Sequence, residues 1–516
     1  MAAAALSSLN RLREALRYSQ GFYKSLLPAA FRPSRSRSSA KPAPVETLFS
    51  RIIPLAQPGI SLVPELDDWA KSKAKIRAME LPNLVKELRK RNRHKQALEV
   101  SEWMKERGIF SSMPSDHAVR LDLIGKVHGL GSAEVYFDSL DEKDKGDKAY
   151  GALLSCYVRE CLMEKSLSHM NKMKELGFAS SALAYNNIMT LYTNTGQHEK
   201  VPSVLAEMKE NGILPDNFSY RICINSYGSR SDINEMERVL EEMEHQPQIV
   251  VDWNTYAAVA HIYLRAGLKD KAMVALKKSE EKINRKYGLC YNHLISLYGT
   301  LGIKSEIQRL WELQKQVCKK HTNVDYITML RTLVKFGELE EAETLLKEWG
   351  SSGNIFDLRV PNIVLVGYCE KGLTEKAEAM LEEFVEKGKT PLAVSWGILA
   401  RAFVVKGEMK KAYEHMEKAL CSYAPKEGWD PNPKVIRSLL QWLGDEADAK
   451  DVENFVKLLK CAMPADRRIY HALIKANIRA GNEIDGLLES MKADGIEEDE
   501  STKKIIKLKN PTDCKV

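Results

Sequence analysis

The sequence predicts an all-α chain: a right-handed superhelical solenoid of about twelve helix-turn-helix units of about 35 residues each. Three observations predict it. Tyr150, Tyr185, Tyr220, Tyr256, Tyr291 and Tyr326 follow one another at steps of 35, 35, 36, 35 and 35 residues, although tyrosine makes up only 19 of 516 residues. Eleven residues after the tyrosine, or after the residue standing in its register, comes a glycine: Gly196, Gly267, Gly302, Gly337, Gly372, Gly407 and Gly481. Sixteen residues after it comes a small side chain in the strongest units: Ala272, Ala342, Ala377 and Ala412. A fixed period of this size marks stacked supersecondary units that share a core. Such an architecture points to an extended binding surface more than to an enzyme cleft.

Each part of the unit has a physical reason. The first helix carries apolar residues at helical spacing, as in Ala257, Val259, Ala260 and Tyr263. The glycine supplies the left-handed backbone that a tight helix–helix turn needs. The small residue then lets the second helix approach the first. A second punctuation, Gly212-Ile213-Leu214-Pro215-Asp216, closes the unit. Units fall at 147–181, 182–216, 217–252, 253–287, 288–322, 323–357 and 358–392. A stretched unit follows at 393–432, where Trp396 replaces the tyrosine and a Pro/Gly-rich loop around Pro425–Pro433 adds length. Weaker units run 433–466 and 467 to 500. Upstream, 78–112 reads as a helix pair (Leu84, Val85, Leu88; Ala97, Val100, Trp103, Met104), and 113–146 as a poorly marked one. Residues 46–77 read as a linker with a basic segment and 501–516 as a basic tail.

The 35-residue period, the Tyr-Asn opening (Tyr185-Asn186, Tyr291-Asn292) and the Gly-Ile-x-Pro-Asp close resemble the pentatricopeptide repeat family, in its plain form abundant in plant organelles. The resemblance covers residues 78–500. The tetratricopeptide pattern, with its 34-residue period and Trp-x-x-Leu-Gly signature, does not fit.

The ends differ from the body. Residues 1–50 hold eight Lys/Arg against Glu14 and Glu46, with a serine cluster at 34–39. Leu9, Leu12 and Leu16 share one helical face and Arg13 and Arg17 lie off it. An amphipathic, Arg- and Ser-rich, acid-poor start reads as a transit peptide over 1–45, addressed to the mitochondrial matrix, with chloroplast or dual import as the alternative. No apolar run is long enough to span a membrane. Residues 71–95 hold ten Lys/Arg (among them Lys86, Arg89, Lys90, Arg91, Arg93 and Lys95) against Glu80 and Glu87. The whole chain is +7, the first fifty residues +6 and 71–95 +8, so the remainder is −7. A concentrated cationic end attracts phosphate far better than the same charge spread thinly. The short basic tail with Lys503, Lys504, Lys507 and Lys509 reads as solvated.

Catalytic patterns are weak. The nine cysteines contain no Cys-x-x-Cys, so neither zinc spacing nor a disulfide framework is suggested, and no cofactor is implied. Zinc deaminase chemistry needs His-x-Glu followed by Pro-Cys-x-x-Cys. His415-Met416-Glu417 supplies only the first half and lies inside a second helix. There is no phosphate-cradling Gly-x-x-x-x-Gly-Lys loop.

The resemblance implies RNA as partner, with one base met per repeat by the residue after the tyrosine and the last residue of the repeat. Asn186 with Asp216 matches the family's uridine-type pair, and Asn292 with Thr322 a pyrimidine-leaning one. Gly151/Ser181, Arg221/Asp252, Ala257/Tyr287, Ile327/Asp357, Asn362/Leu392 and Arg437/Asp466 depart from the pattern. Arg159, Arg265, Lys335 and Arg479, near the ends of first helices, join the 86–95 cations as phosphate-contact candidates. Two functions follow: an RNA-binding protein of organellar RNA metabolism or translation, on single-stranded transcript or ribosomal RNA, or a component or associate of the mitochondrial ribosome that meets its proteins too. A protein-binding scaffold, favoured by the mildly acidic body, is the third.

Overall fold

The computed structural model describes residues 48–55, 60–71, 80–108, 114–283, 288–318, 320–424 and 428–507. The expected transit peptide, Lys73, Lys75, Arg77, Tyr287, Lys509 and Cys514 lie outside them. The chain forms two compact units, Met1–Ala266 and Gly267–Val516. Among the described residues all regular elements are helices.

In the first unit the order is α1 (Leu48–Leu55), α2 (Val63–Lys71), α3 (Glu80–Lys90), α4 (His94–Glu106), α5 (Pro114–Val127), α6 (Leu130–Asp138), α7 (Asp147–Arg159), α8 (Met163–Glu175), α9 (Ala182–Asn194), α10 (Val201–Glu210), α11 (Asn217–Ser229), α12 (Ile233–Glu244) and α13 (Trp253–Arg265). In the second it is α14 (Lys269–Glu281), α15 (Gly288–Leu301), α16 (Lys304–Val317), α17 (Asn323–Phe336), α18 (Leu339–Ser351), α19 (Arg359–Glu370), α20 (Thr374–Glu386), α21 (Ala393–Lys406), α22 (Met409–Cys421), α23 (Pro433–Glu446), α24 (Ala449–Ala462), α25 (Arg467–Arg479), α26 (Asp485–Ala493) and α27 (Glu500–Lys507). Within each unit, first helices pack on their own second helix and on the next first helix, as α9 does on α10 and α11 and α15 does on α16 and α17.

The period is physical. All six ruler tyrosines are buried. Some of their hydroxyls tie the two helices of a unit together: Tyr220 donates to Glu242 (2.7 Å) and Tyr326 to Glu348 (3.2 Å), while Tyr256 reaches back to Glu244 of the preceding unit (2.8 Å). Some of these carboxylates also take a lysine from the preceding repeat, Lys209 on Glu242 and Lys315 on Glu348 (3.0 Å). Lys460, Asp494 and Tyr470 repeat the arrangement. The small residues expected sixteen positions on, Ala272, Ala342, Ala377 and Ala412, are fully buried. The turn glycines take φ near +75, for example Gly196 (77) and Gly337 (79). The register imposes that conformation even without glycine: Asn92 (φ 57), Cys161 (φ 56) and Ser231 (φ 60) stand eleven residues after Leu81, Tyr150 and Tyr220.

Two segments differ from the sequence expectation. The stretch read as a linker at 46–77 contains α1 and α2, which close the start of the first unit. Trp103 Nε1 donates to Asp67 (2.8 Å) and Gln96 to the Ile60 carbonyl (2.8 Å), while Leu62, Leu66 and Trp69 are buried. The stretch read as a tail begins as α27. Ile505 packs with Ile474 and Ile484, and His471 meets Thr502 (2.9 Å), while Lys503, Lys504 and Lys507 are exposed. Both segments are short and charged, and their apolar residues become a stripe only once helical.

Candidate nucleic-acid interface

Where α3, α5 and α7 end, the candidate cations Arg89 and Arg159 meet Lys126, which the sequence reading missed, around one carboxylate. These helices are successive first helices, so their last turns line up. Asp122 of α5 is buried and accepts from Arg89 of α3 (2.8 Å), Lys126 of α5 (2.9 Å) and Arg159 of α7 (3.4 Å). Each of the three cations stays partly open to water above the carboxylate. Gly125 makes the crossing possible: a Cβ there would stand 2.8 Å from Arg159 Nη2. Cations sharing one buried carboxylate are pre-positioned, so less side-chain entropy is lost when an anion binds. His94 records the field. Burial first, and then the Lys126 charge with Arg89 and Arg159, push its imidazole below the usual histidine range.

The remaining basic residues of this end sit on the α3–α4 turn. Lys86, Lys90, Arg91 and Lys95 are exposed and Arg93 is half-buried. Glu87 holds Arg91 (3.1 Å) and Lys90 (3.7 Å). Arg265 and Lys335 are exposed at the ends of α13 and α17. Arg479 is committed otherwise: its guanidinium donates to the carbonyls of Gly444 (3.1 Å), Leu443 (3.4 Å) and Ala447, closing the C-terminal end of α23.

The base-reading candidates lie in a buried polar seam. Asn186 of α9 is 3% exposed. Its Nδ2 donates to Asp216 (3.1 Å), and its Oδ1 accepts from Ser219 Oγ (2.7 Å). Asp216 and Ser219 form the capping box that starts α11. Each amide therefore fastens one first helix to the cap of the next. The structure brings Asn186 and Asp216 together as expected. It joins Asn292 to Asp325 (2.6 Å) rather than directly to Thr322, and Asp325 in turn caps Thr322 (2.8 Å) and takes Gln314 (3.0 Å). Arg221–Asp252 (3.3 Å) and Ser395–Asn362 (2.9 Å) continue the seam at the same register. The signal for Ser219, Asp325 and Ser395 was in the sequence, one residue before the aromatic, but it reads equally as a plain helix cap.

His415 sits between the parallel rings of Trp396 (5.7 Å) and Phe403 (5.3 Å) and bonds Glu378 (2.8 Å). Glu417, its His-x-Glu partner, is not in that bond. Among the described residues no cluster of three His, Cys, Asp or Glu could hold a metal, and no helix is long and apolar enough to cross a membrane.

Comparison with known proteins decides the family. The PPR repeat family model matches residues 180–229, and the PPR repeat model matches 148–178, 218–246, 324–354 and 360–388. A mitochondrial pentatricopeptide repeat-containing protein of Arabidopsis thaliana is 49% identical over 90% of this chain and 95% of its own length. The chain belongs to the pentatricopeptide repeat family. Two further Arabidopsis thaliana relatives of this pentatricopeptide chain bear on its role. One is another protein named mitochondrial, 35% identical over 81% of this chain and 84% of its own length. The other is the large ribosomal subunit protein mL101, 41% identical over 92% of this chain and 97% of its own length.

Proposed function

We propose that this protein binds RNA in mitochondria, acting in organellar RNA metabolism or translation, and that it grips phosphate with the cationic end of its first unit. The observation that carries the proposal is the Asp122 cluster. It sets three part-exposed cations on successive first helices, beside the basic α3–α4 turn. That geometry suits a phosphodiester backbone or the surface of folded RNA. Family membership and the mitochondrial names of full-length relatives support the compartment. A transit peptide over 1–45 is part of the same proposal.

A second reading, a structural component or associate of the mitochondrial ribosome, is favoured by one observation. The similarity to a large ribosomal subunit protein runs through nearly the whole of both chains. The polar seam agrees with it, because amides bonded within the protein are poorly placed to read bases.

Crosslinking the protein in organelle extract and sequencing the bound RNA tests both. Recovery of ribosomal RNA supports the ribosomal reading and recovery of defined messages the transcript reading. Recovery of no RNA would overturn both in favour of a protein scaffold. In the same assay, Arg89→Gln, Lys126→Gln and Arg159→Gln together are expected to flatten the salt dependence of binding, by a slope of about 2 if all three meet phosphates of a single strand.

A further inference from the structure

We propose that Trp429 is a stacking platform for one unstacked base of bound RNA, an inference that rests on the RNA-binding reading above. The residue comes from the Pro/Gly-rich loop that lengthens the 393–432 unit. The loop brings its indole back onto α21 at Gly397, the residue that follows Trp396. In the units at 182–216 and 288–322 this register carries the side chain of the polar seam, Asn186 and Asn292. Here it carries none, and the indole takes the space. A Cβ on Gly397 would stand 2.8 Å from Trp429 Cζ2 and 3.2 Å from Nε1, so only glycine admits the ring.

The indole is not sunk into the core. It is half-exposed and tilted at 59° against Tyr423, with 6.3 Å between ring centroids. Cations flank the register. Arg401 lies one turn further along α21 from Gly397 and is exposed. Arg437 is exposed at the matching register of α23, next to the buried Ile436 that stands in the tyrosine's place. Helices α21 and α23 pack against each other. Lys434 adds a third charge, and Asp430 is the acid beside the ring. Asn432, the polar residue that closes the unit, caps α23 through the Lys434 amide (2.9 Å). This unit thus offers an aromatic face at α21, with exposed arginines on α21 and α23, where the unit before it offers the Asn362 amide. That combination takes any base by stacking while the cations hold the backbone on either side.

The test uses the full chain and a short single-stranded RNA pool of random sequence at fixed salt, with 5-iodouridine incorporated for photocrosslinking. The expected crosslink falls on Trp429. W429L is expected to weaken binding about tenfold, and W429F by less, since a ring remains to stack. G397V, which displaces the indole without deleting it, should lose affinity like W429L. Wild type that binds RNA with crosslinks only elsewhere, and W429L of equal affinity, would overturn the platform and leave the RNA-binding reading intact. Wild type that binds no RNA would overturn both. The crosslink is read on the unaltered protein, so a variant that folds poorly does not decide the matter.

Discussion

At the scale of single residues, Asn186 shows how one side chain changes meaning between sequence and structure. In the sequence it is the best-formed base reader. In the structure it is buried, with both ends of its amide bonded to Asp216 and Ser219. Removing a buried amide leaves its partners short of a bond, at a cost of about 1–3 kcal/mol. Asn186→Ala is therefore expected to lower stability by that amount in urea unfolding without RNA. Ser219→Ala should give a smaller loss, and the double variant should lose less than the sum of the two. If Asn186→Ala leaves stability unchanged while erasing a preference for one base, the amide serves RNA and not the seam. The pairing of Asn186 with Asp216 was legible through the family resemblance, which sets the residue after the tyrosine against the last residue of the repeat. The insertion of Asp325 between Asn292 and Thr322 was not, because a carboxylate three residues into a helix reads first as its cap.

At the scale of the helix pair, the turn register offers a stability test. Ser231 occupies a left-handed conformation (φ 60) at the position where most repeats use glycine. A side chain there costs about 1 kcal/mol relative to glycine. Ser231→Gly is expected to raise the urea midpoint by a shift worth about 0.5–1 kcal/mol, after discounting the added freedom of the unfolded chain. A lower midpoint would mean that Ser231 is not strained. The helix pairs themselves were plain in the sequence, because tyrosine, glycine and alanine mark three successive places in each. Helices α1, α2 and α27 were not, since they lie outside the period and their apolar residues are few. The side-by-side packing of successive first helices was also hidden. A glycine such as Gly228 touches Ile262 and Gly299 touches Thr332 one repeat later, and nothing in a single unit announces that contact.

At the scale of the molecule, the histidines make stability depend on pH in a predictable direction. His94, His169, His198, His415 and His471 are all held below the usual value of 6.5, first of all by burial. The unfolded chain takes up these protons before the folded one does. Their contribution is therefore full above pH 6.5 and falls as pH drops through it. The melting temperature is expected to decline between about pH 7.5 and pH 5.5, and His415→Gln should make that decline shallower. A flat profile across the window would show that these rings charge as readily folded as unfolded. The carboxylates shared by a tyrosine and a lysine have a different consequence. Glu242, Glu348 and Asp494 each receive a hydroxyl from their own repeat and an ammonium from the one before. Register is thus checked twice at each joint. Growth of such a chain is quantised: duplicating residues 182–216 should preserve every clasp, whereas inserting a few residues between Lys209 and Tyr220 should pull Lys209 off Glu242 and leave Tyr220 holding it alone.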